Sequence, residues 1–130
     1  MKQIKDYIYE SPSIGKGTFS KVYKGYNIND KTQTYAIKKI YRNNKEKYIK
    51  YVEKEIAIME KLNHINIIKL YNKIYTDKYI FLILELCEMD LNTYIQTADL
   101  NEDAIKYIIR QIIEAIKYIM DNNIVHRDLK

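Results

Sequence analysis

The 130-residue chain is poor in the residues that make covalent cross-links and zinc sites. It has one cysteine, Cys87, so no disulfide can form within the chain. We therefore expect a reducing compartment, the cytoplasm or the nucleus. The two histidines, His64 and His126, together with one thiol are too few for the four-ligand set of a structural zinc site.

Long apolar runs are also missing. The start of the chain, residues 1–6, has no apolar run of signal-peptide length, and no window approaches the roughly 18 apolar residues of a membrane span. Internal repeats and low-complexity linkers are absent as well. Apolar residues still make up 47% of the chain, enough to bury a core and to exclude general disorder. The length fits one domain or a large part of a two-lobed domain.

Arginine is scarce, with 3 residues against 19 lysines, and the net charge is +5. The positive charge is spread along the chain, which is typical of a solvated lysine-rich surface and not of a nucleic-acid-binding face. No nucleic-acid partner is therefore predicted. A basic module that binds RNA or a membrane surface stays a minor alternative.

Two patterns of secondary structure follow each other along the chain. Five β-rich segments and one helix occupy the first 85 residues and predict an antiparallel sheet. The segments are 7–14, 20–27, 34–40, 67–75 and 79–84, and the helix is 45–62. Beyond residue 85 helices dominate, and 101–122 carries isoleucines at helical spacing after a candidate N-cap, Asn101. We predict an α+β fold with a boundary between two lobes near residue 85.

Gly15 and Gly17 form a Gly-x-Gly turn between the first two predicted strands. Glycines let backbone N–H groups approach a phosphate chain without a Cβ clash. The turn is neither a P-loop, which needs a longer loop closed by Gly-Lys-Ser/Thr, nor a Rossmann turn, because a strand follows it. A plain hairpin turn is the alternative.

Lys38 lies in the third predicted strand, where alternation places it on one face with Ala36 and places Lys39 on the other. A small side chain beside a lysine suits a site that holds an adenine ring and its phosphates. An edge-strand lysine that reaches solvent is the alternative, and it is the one we expect for Lys39.

A partner for Lys38 is predicted by the geometry of the helix over 45–62. At about 100° per residue, Glu55 falls inside the apolar face, whereas Glu53 and Glu60 fall at its flank. A carboxylate that faces the core needs a cation, because an unpaired buried charge is costly. We therefore predict an ion pair between Glu55 and Lys38.

The closing residues, His126-Arg127-Asp128-Leu129-Lys130, resemble the start of the catalytic loop of protein kinases. Ile14–Val22 resembles the kinase glycine-rich loop with Ser20 in place of the third glycine, and Tyr35–Lys38 and Tyr79–Cys87 resemble the third and fifth strands. The resemblance covers about 7–130. It implies a kinase N-lobe over 7–85, a hinge over 86–90 and the opening of the C-lobe over 91–130. The resemblance is to Ser/Thr kinases, because a lysine follows the catalytic-loop aspartate by two positions. Kinases that initiate autophagy and calcium/calmodulin-type kinases are the similar subfamilies.

The resemblance also implies roles for individual residues. Asp128 is the base for the substrate hydroxyl, Lys130 steadies the γ-phosphate, and Lys38 with Glu55 holds the α- and β-phosphates. Leu84 is the gatekeeper behind the adenine. The residues implied to contact ATP are Ile14, Gly15, Lys16, Gly17, Thr18, Phe19, Ser20, Val22, Ala36, Lys38, Glu55, Leu84, Glu85 and Cys87.

Kinases bind Mg²⁺ through an asparagine shortly after the catalytic-loop lysine and through a later Asp-Phe-Gly turn. Neither occurs within these 130 residues. We therefore expect a fragment that is inactive by itself, with an exposed isoleucine-rich helix face open to a partner. ATP and a protein substrate are the other implied partners. A nucleotide-binding pseudokinase or scaffold is the alternative.

Overall fold

Alternating apolar and polar segments, broken by short turns, form seven β-strands and three helices in the computed structural model, which describes residues 1–42, 46–126 and Leu129. The strands are β1 Lys2–Ile4, β2 Tyr7–Tyr9, β3 Gly15–Lys16, β4 Ser20–Asn27, β5 Asp30–Tyr41, β6 Leu70–Tyr75 and β7 Tyr79–Glu85. The helices are α1 Glu46–Lys61, α2 Leu91–Thr97 and α3 Glu102–Asp121. The predicted α+β fold is confirmed.

The strands form one antiparallel sheet in the order β1-β2-β4-β5-β7-β6, with β3 paired to β4. Two strands beyond the predicted five are present. Of the predicted strand over 7–14, only β2 is strand, and β3 falls where the glycine-bearing turn was predicted. Strand β1 is only three residues long, too short to show alternation, and pairs with β2 across a turn in which Lys5 has a positive φ of 47°.

Each face of the sheet buries its own apolar cluster. One face packs eight residues, half of them tyrosines: Tyr7, Tyr9, Tyr23, Tyr35, Ile37, Ile74, Phe81 and Ile83. The opposite face packs against α1 through Ile40, Val52, Ile56, Ile80 and Leu82. Strand β5 contributes to both clusters because successive side chains point to opposite faces. We refer to these faces as the tyrosine face and the helix face.

The chain divides into two compact units. The first comprises Met1–Lys61 and Lys69–Cys87, and the second comprises Leu62–Ile68 and the residues from Glu88 onward. The assignment of 86–90 as a hinge between kinase lobes stays a prediction, although β7 ends at Glu85 and α2 begins at Leu91.

In the second unit, the predicted N-cap of the long helix is confirmed, because the Asn101 side chain accepts a hydrogen bond from the Ala104 N–H at 2.9 Å. The Asn66 side-chain amide, in the segment Leu62–Ile68 of this unit, donates a hydrogen bond to the Gln111 Oε1 of α3 at 2.9 Å. Much of the apolar surface of α3 is exposed, in particular Ile105, Ile109, Ile112, Ile113 and Met120. None of the helices in the described residues is long and apolar enough to cross a membrane.

Candidate active site

The residues predicted to surround a nucleotide occupy neighbouring positions on the helix face of the sheet. Val22 of β4 lies opposite Lys38 of β5, and Leu84 of β7 lies opposite Ala36. Gly15 of β3 lies opposite Val22. All five residues are half-buried. The pairing of four strands therefore assembles, from distant parts of the chain, a small apolar surface beside one lysine.

The predicted ion pair is present, with the Lys38 Nζ 3.5 Å from the Glu55 Oε1. The expectation that Glu55 points into the core is wrong, because its side chain is 43% exposed and that of Lys38 is 28% exposed. A partly solvated pair of this kind contributes only about 0.2–1 kcal/mol to the free energy of unfolding. The Lys38–Glu55 pair therefore orients the ammonium group more than it stabilises the fold.

The glycine-bearing turn is a tight hairpin tip between β3 and β4. The Gly17 N–H donates a hydrogen bond to the Ser20 carbonyl at 2.8 Å, and the Ile14 N–H donates to the Val22 carbonyl at 2.8 Å. A Cβ on Gly17 would come within 2.9 Å of the Ser20 Oγ. The Ser20 hydroxyl can rotate away from that position, so this contact by itself does not require glycine at Gly17. Thr18 is exposed at the tip of the turn.

Tyr48 of α1 connects this turn to the ion pair, a contact that the sequence analysis missed. Its ring lies 5.0 Å from the ring of Phe19 at the turn. Burial, and then the negative charge of Glu55, raise the pKa of Tyr48. Tyr48 precedes Glu55 by seven residues, or two helical turns, so the helical wheel contained the signal that places both on one face.

Lys39 does not reach freely into solvent, and the prediction of an edge strand is wrong. Strand β5 is flanked by β4 and β7. The Lys39 Nζ lies 3.8 Å from the centroid of the Tyr79 ring, in a cation–π contact on the tyrosine face.

The two glutamates at the flank of α1 contact β6. The Tyr75 hydroxyl donates a hydrogen bond to Glu53 at 2.9 Å, and Lys73 pairs with Glu60 at 2.7 Å. Burial, followed by the bond to Glu53, raises the pKa of Tyr75, and the bond to Glu60 raises the pKa of Lys73. These contacts tie α1, and with it Glu55, to the sheet.

Glu85, one of the predicted ATP contacts, ends β7 and pairs with Lys69. The Glu85 N–H donates to the Lys69 carbonyl at 2.9 Å, and its carboxylate accepts from the Lys69 N–H at 3.1 Å. A ligand contact by the backbone of Glu85 therefore has to use the carbonyl oxygen. The Cys87 thiol is free and exposed.

The predicted residues at the end of the chain, Asp128 and Lys130, lie outside the described residues, and their roles stay predictions. Within the part that is described, no three His, Cys, Asp or Glu side chains gather to hold a metal ion. The described residues therefore do not fit a Mg²⁺ site.

Comparison with known proteins agrees with this arrangement. A family model described as the protein kinase domain matches residues 8–130. The serine/threonine-protein kinase atg1 of Dictyostelium discoideum is 34% identical over 100% of this chain and 20% of its own length. The serine/threonine-protein kinase ATG1 of Pichia angusta is 30% identical over 92% of this chain and 18% of its own length. The chain thus spans about a fifth of the length of these curated relatives.

Proposed function

Because the chain belongs to the protein kinase family, we propose that it is the ATP-binding part of a Ser/Thr protein kinase. The reaction transfers the γ-phosphate of ATP to a protein hydroxyl group. A bond forms between the hydroxyl oxygen and the γ-phosphorus, the bond to the β–γ bridging oxygen breaks, and ADP leaves. The Ser/Thr type is supported by Lys130 and by the similarity to two serine/threonine-protein kinases.

The observation that carries this proposal is the Lys38–Glu55 pair beside a half-buried apolar surface. Val22, Ala36 and Leu84 offer that surface to the adenine ring. The Lys38 ammonium group donates hydrogen bonds to the phosphate chain, and Glu55 limits the directions in which it can point. Both parts belong to the first compact unit.

The residues outside this surface complete the proposal. Asp128 accepts the proton of the substrate hydroxyl, and Lys130 stabilises charge on the γ-phosphate. The single free cysteine of this chain favours a reducing compartment. The protein substrate is therefore expected in the cytoplasm or the nucleus.

Binding of ATP to the purified chain tests the proposal by isothermal titration calorimetry. The informative signal is the ATP binding that excess adenosine displaces, because adenosine competes only for a site that holds the base. Charge-assisted hydrogen bonds contribute about 1.5–3 kcal/mol, so we expect Lys38→Met to weaken this binding by roughly tenfold or more.

Lys39→Met is the matched control, because it removes the same charge from the next residue of the same strand but from the opposite face. It should leave adenosine-displaceable binding unchanged. Absence of such binding to a chain that circular dichroism shows to be folded, or equal losses in the two variants, contradicts the proposal.

A further inference from the structure

A second cavity, of about 360 Å³, lies beside the glycine-bearing turn in the first unit. Four lysines line it, Lys2, Lys16, Lys21 and Lys39, and none of its lining residues is acidic. A volume of this size lies in the range of small-molecule sites. The cavity is therefore a basic pocket of defined size and not a diffuse positive surface.

Three of these lysines form a row across neighbouring strands. Lys16 of β3 lies opposite Lys21 of β4, and Lys21 lies opposite Lys39 of β5. Like charges in directly opposed positions repel each other. Among the described residues, none of the three has a carboxylate within ion-pair distance. The row is an uncompensated positive charge that an anion would neutralise.

The position of Lys39 is held by aromatic rings. Its Nζ lies 3.8 Å from the Tyr79 ring centroid and 5.7 Å from that of Phe81. Tyr79 also lines the cavity, together with the buried Tyr23. The ammonium group of Lys39 is thus oriented on the cavity wall before any ligand arrives, which lowers the entropic cost of binding.

This pocket differs from the ATP-binding surface. Lys38 and Lys39 are consecutive residues of β5 and point to opposite faces of the sheet. The Lys38 side chain, on the helix face, pairs with Glu55 of α1, whereas the Lys39 side chain, on the tyrosine face, lies against Tyr79. Residues 16–20, which are among the predicted ATP contacts, line this pocket as well.

We propose that this lysine row binds a small anion that carries two or more phosphate groups. Ammonium groups bind phosphate oxygens as point charges, and several of them match a ligand with several negative charges. The volume of about 360 Å³ favours a small molecule over a nucleic acid strand. A single phosphate on a peptide would neutralise only part of the charge of four lysines.

Isothermal titration calorimetry with tripolyphosphate, which has no base and no sugar, tests this proposal on the complete chain at low salt. The wild-type chain should bind with about one equivalent, and affinity should fall as salt rises. The double substitution of Lys21→Gln and Lys39→Gln should weaken binding by about tenfold or more. Lys54→Gln, at an exposed lysine of α1 that does not line the cavity, is the matched control and should change it less than about twofold.

Circular dichroism checks that each variant is folded. If the double variant is not folded, the single substitution Lys21→Gln, at an exposed residue, replaces it in the test. Three outcomes overturn the proposal: no binding of tripolyphosphate, equal losses in the Lys54→Gln and double variants, or undiminished binding in the double variant. Binding of a phosphoserine peptide without binding of tripolyphosphate would also overturn it. Failure here leaves adenosine-displaceable ATP binding unaffected, so the two proposals are tested separately.

Discussion

Gly25 in β4 shows how one position limits the packing of the sheet. A Cβ placed there would overlap the carbonyl oxygen of Ile8 on β2 and lie 2.5 Å from the Ile37 Cδ1. The carbonyl oxygen belongs to a paired strand, so it cannot move aside without disturbing the ladder between β2 and β4. The close approach of these strands therefore depends on glycine at this position.

Gly25→Ala should lower the free energy of unfolding by roughly 1–3 kcal/mol, the usual cost of overpacking a filled site. Urea denaturation measures this change. Lys24→Ala, at the exposed neighbouring residue, is the matched control and should have a much smaller effect. Equal denaturation midpoints for the Gly25→Ala variant and the wild type would show that the sheet can relax around a methyl group.

Single residues of the candidate site also show which of its properties the sequence predicts. The pairing of Lys38 with Glu55 follows from two local periods, the alternation of β5 and the turn of α1, and the structure confirms it. The degree of burial does not follow from either period, because it depends on which side chains cover the pair. The prediction that Lys39 lies on an edge strand is wrong for the same kind of reason, because only the order of strands in the sheet shows that β5 is flanked on both sides.

At the scale of elements, short helices depend on their caps. Helix α2 has seven residues, and Asp90 precedes it as N-cap. The Asp90 carboxylate accepts hydrogen bonds from the Thr93 N–H at 2.8 Å and from the Thr93 hydroxyl at 3.0 Å. These bonds, that of the backbone first, hold the pKa of Asp90 below its usual value.

The sign of the resulting pH dependence follows from linkage. The folded pKa of Asp90 is lowered, so its contribution to α2 is complete above the unfolded value of about 3.9 and is lost as pH falls through the folded pKa. Carboxyl NMR titration should give an Asp90 pKa below that unfolded value. The protection factors of the amides over 91–97, which compare each rate with the intrinsic rate at the same pH, should fall as pH drops through the folded pKa.

Asp90→Ala should accelerate exchange over 91–97 at neutral pH as well, because it removes the cap at every pH. Asp99→Ala, at an exposed aspartate just beyond α2, is the control for loss of one negative charge. Equal exchange rates in the two variants would mean that the cap hydrogen bonds contribute nothing to α2.

At the scale of the whole molecule, the residues proposed to bind ATP are present, whereas some residues that the family needs for catalysis are not among these 130. The proposed ATP-binding surface lies within the first unit. The metal-binding asparagine and Asp-Phe-Gly turn that the family uses do not occur among these 130 residues. Phosphoryl transfer depends on positioning and on neutralisation of charge at the transferring group.

We therefore expect a polypeptide of these 130 residues, expressed by itself, to transfer phosphate no faster than its Lys38→Met variant. Transfer of radiolabelled phosphate from ATP to a mixture of protein substrates measures this rate. Turnover well above that of the Lys38→Met variant would show that other groups in the chain supply the missing charge neutralisation. Retained ATP binding without turnover would agree with the expectation.

The sequence by itself determined the α+β class, the bounds of β4, β7, α1 and α3 to within one residue, and the pairing of Lys38 with Glu55. These properties depend on periods of two and 3.6 residues, which short segments contain completely. Only the tertiary structure decided which strands are neighbours, and so brought Val22 and Leu84 beside Lys38 and aligned Lys16 with Lys21 and Lys39. The order of strands in the sheet depends on contacts between residues far apart in the chain, which the periods of single segments do not specify.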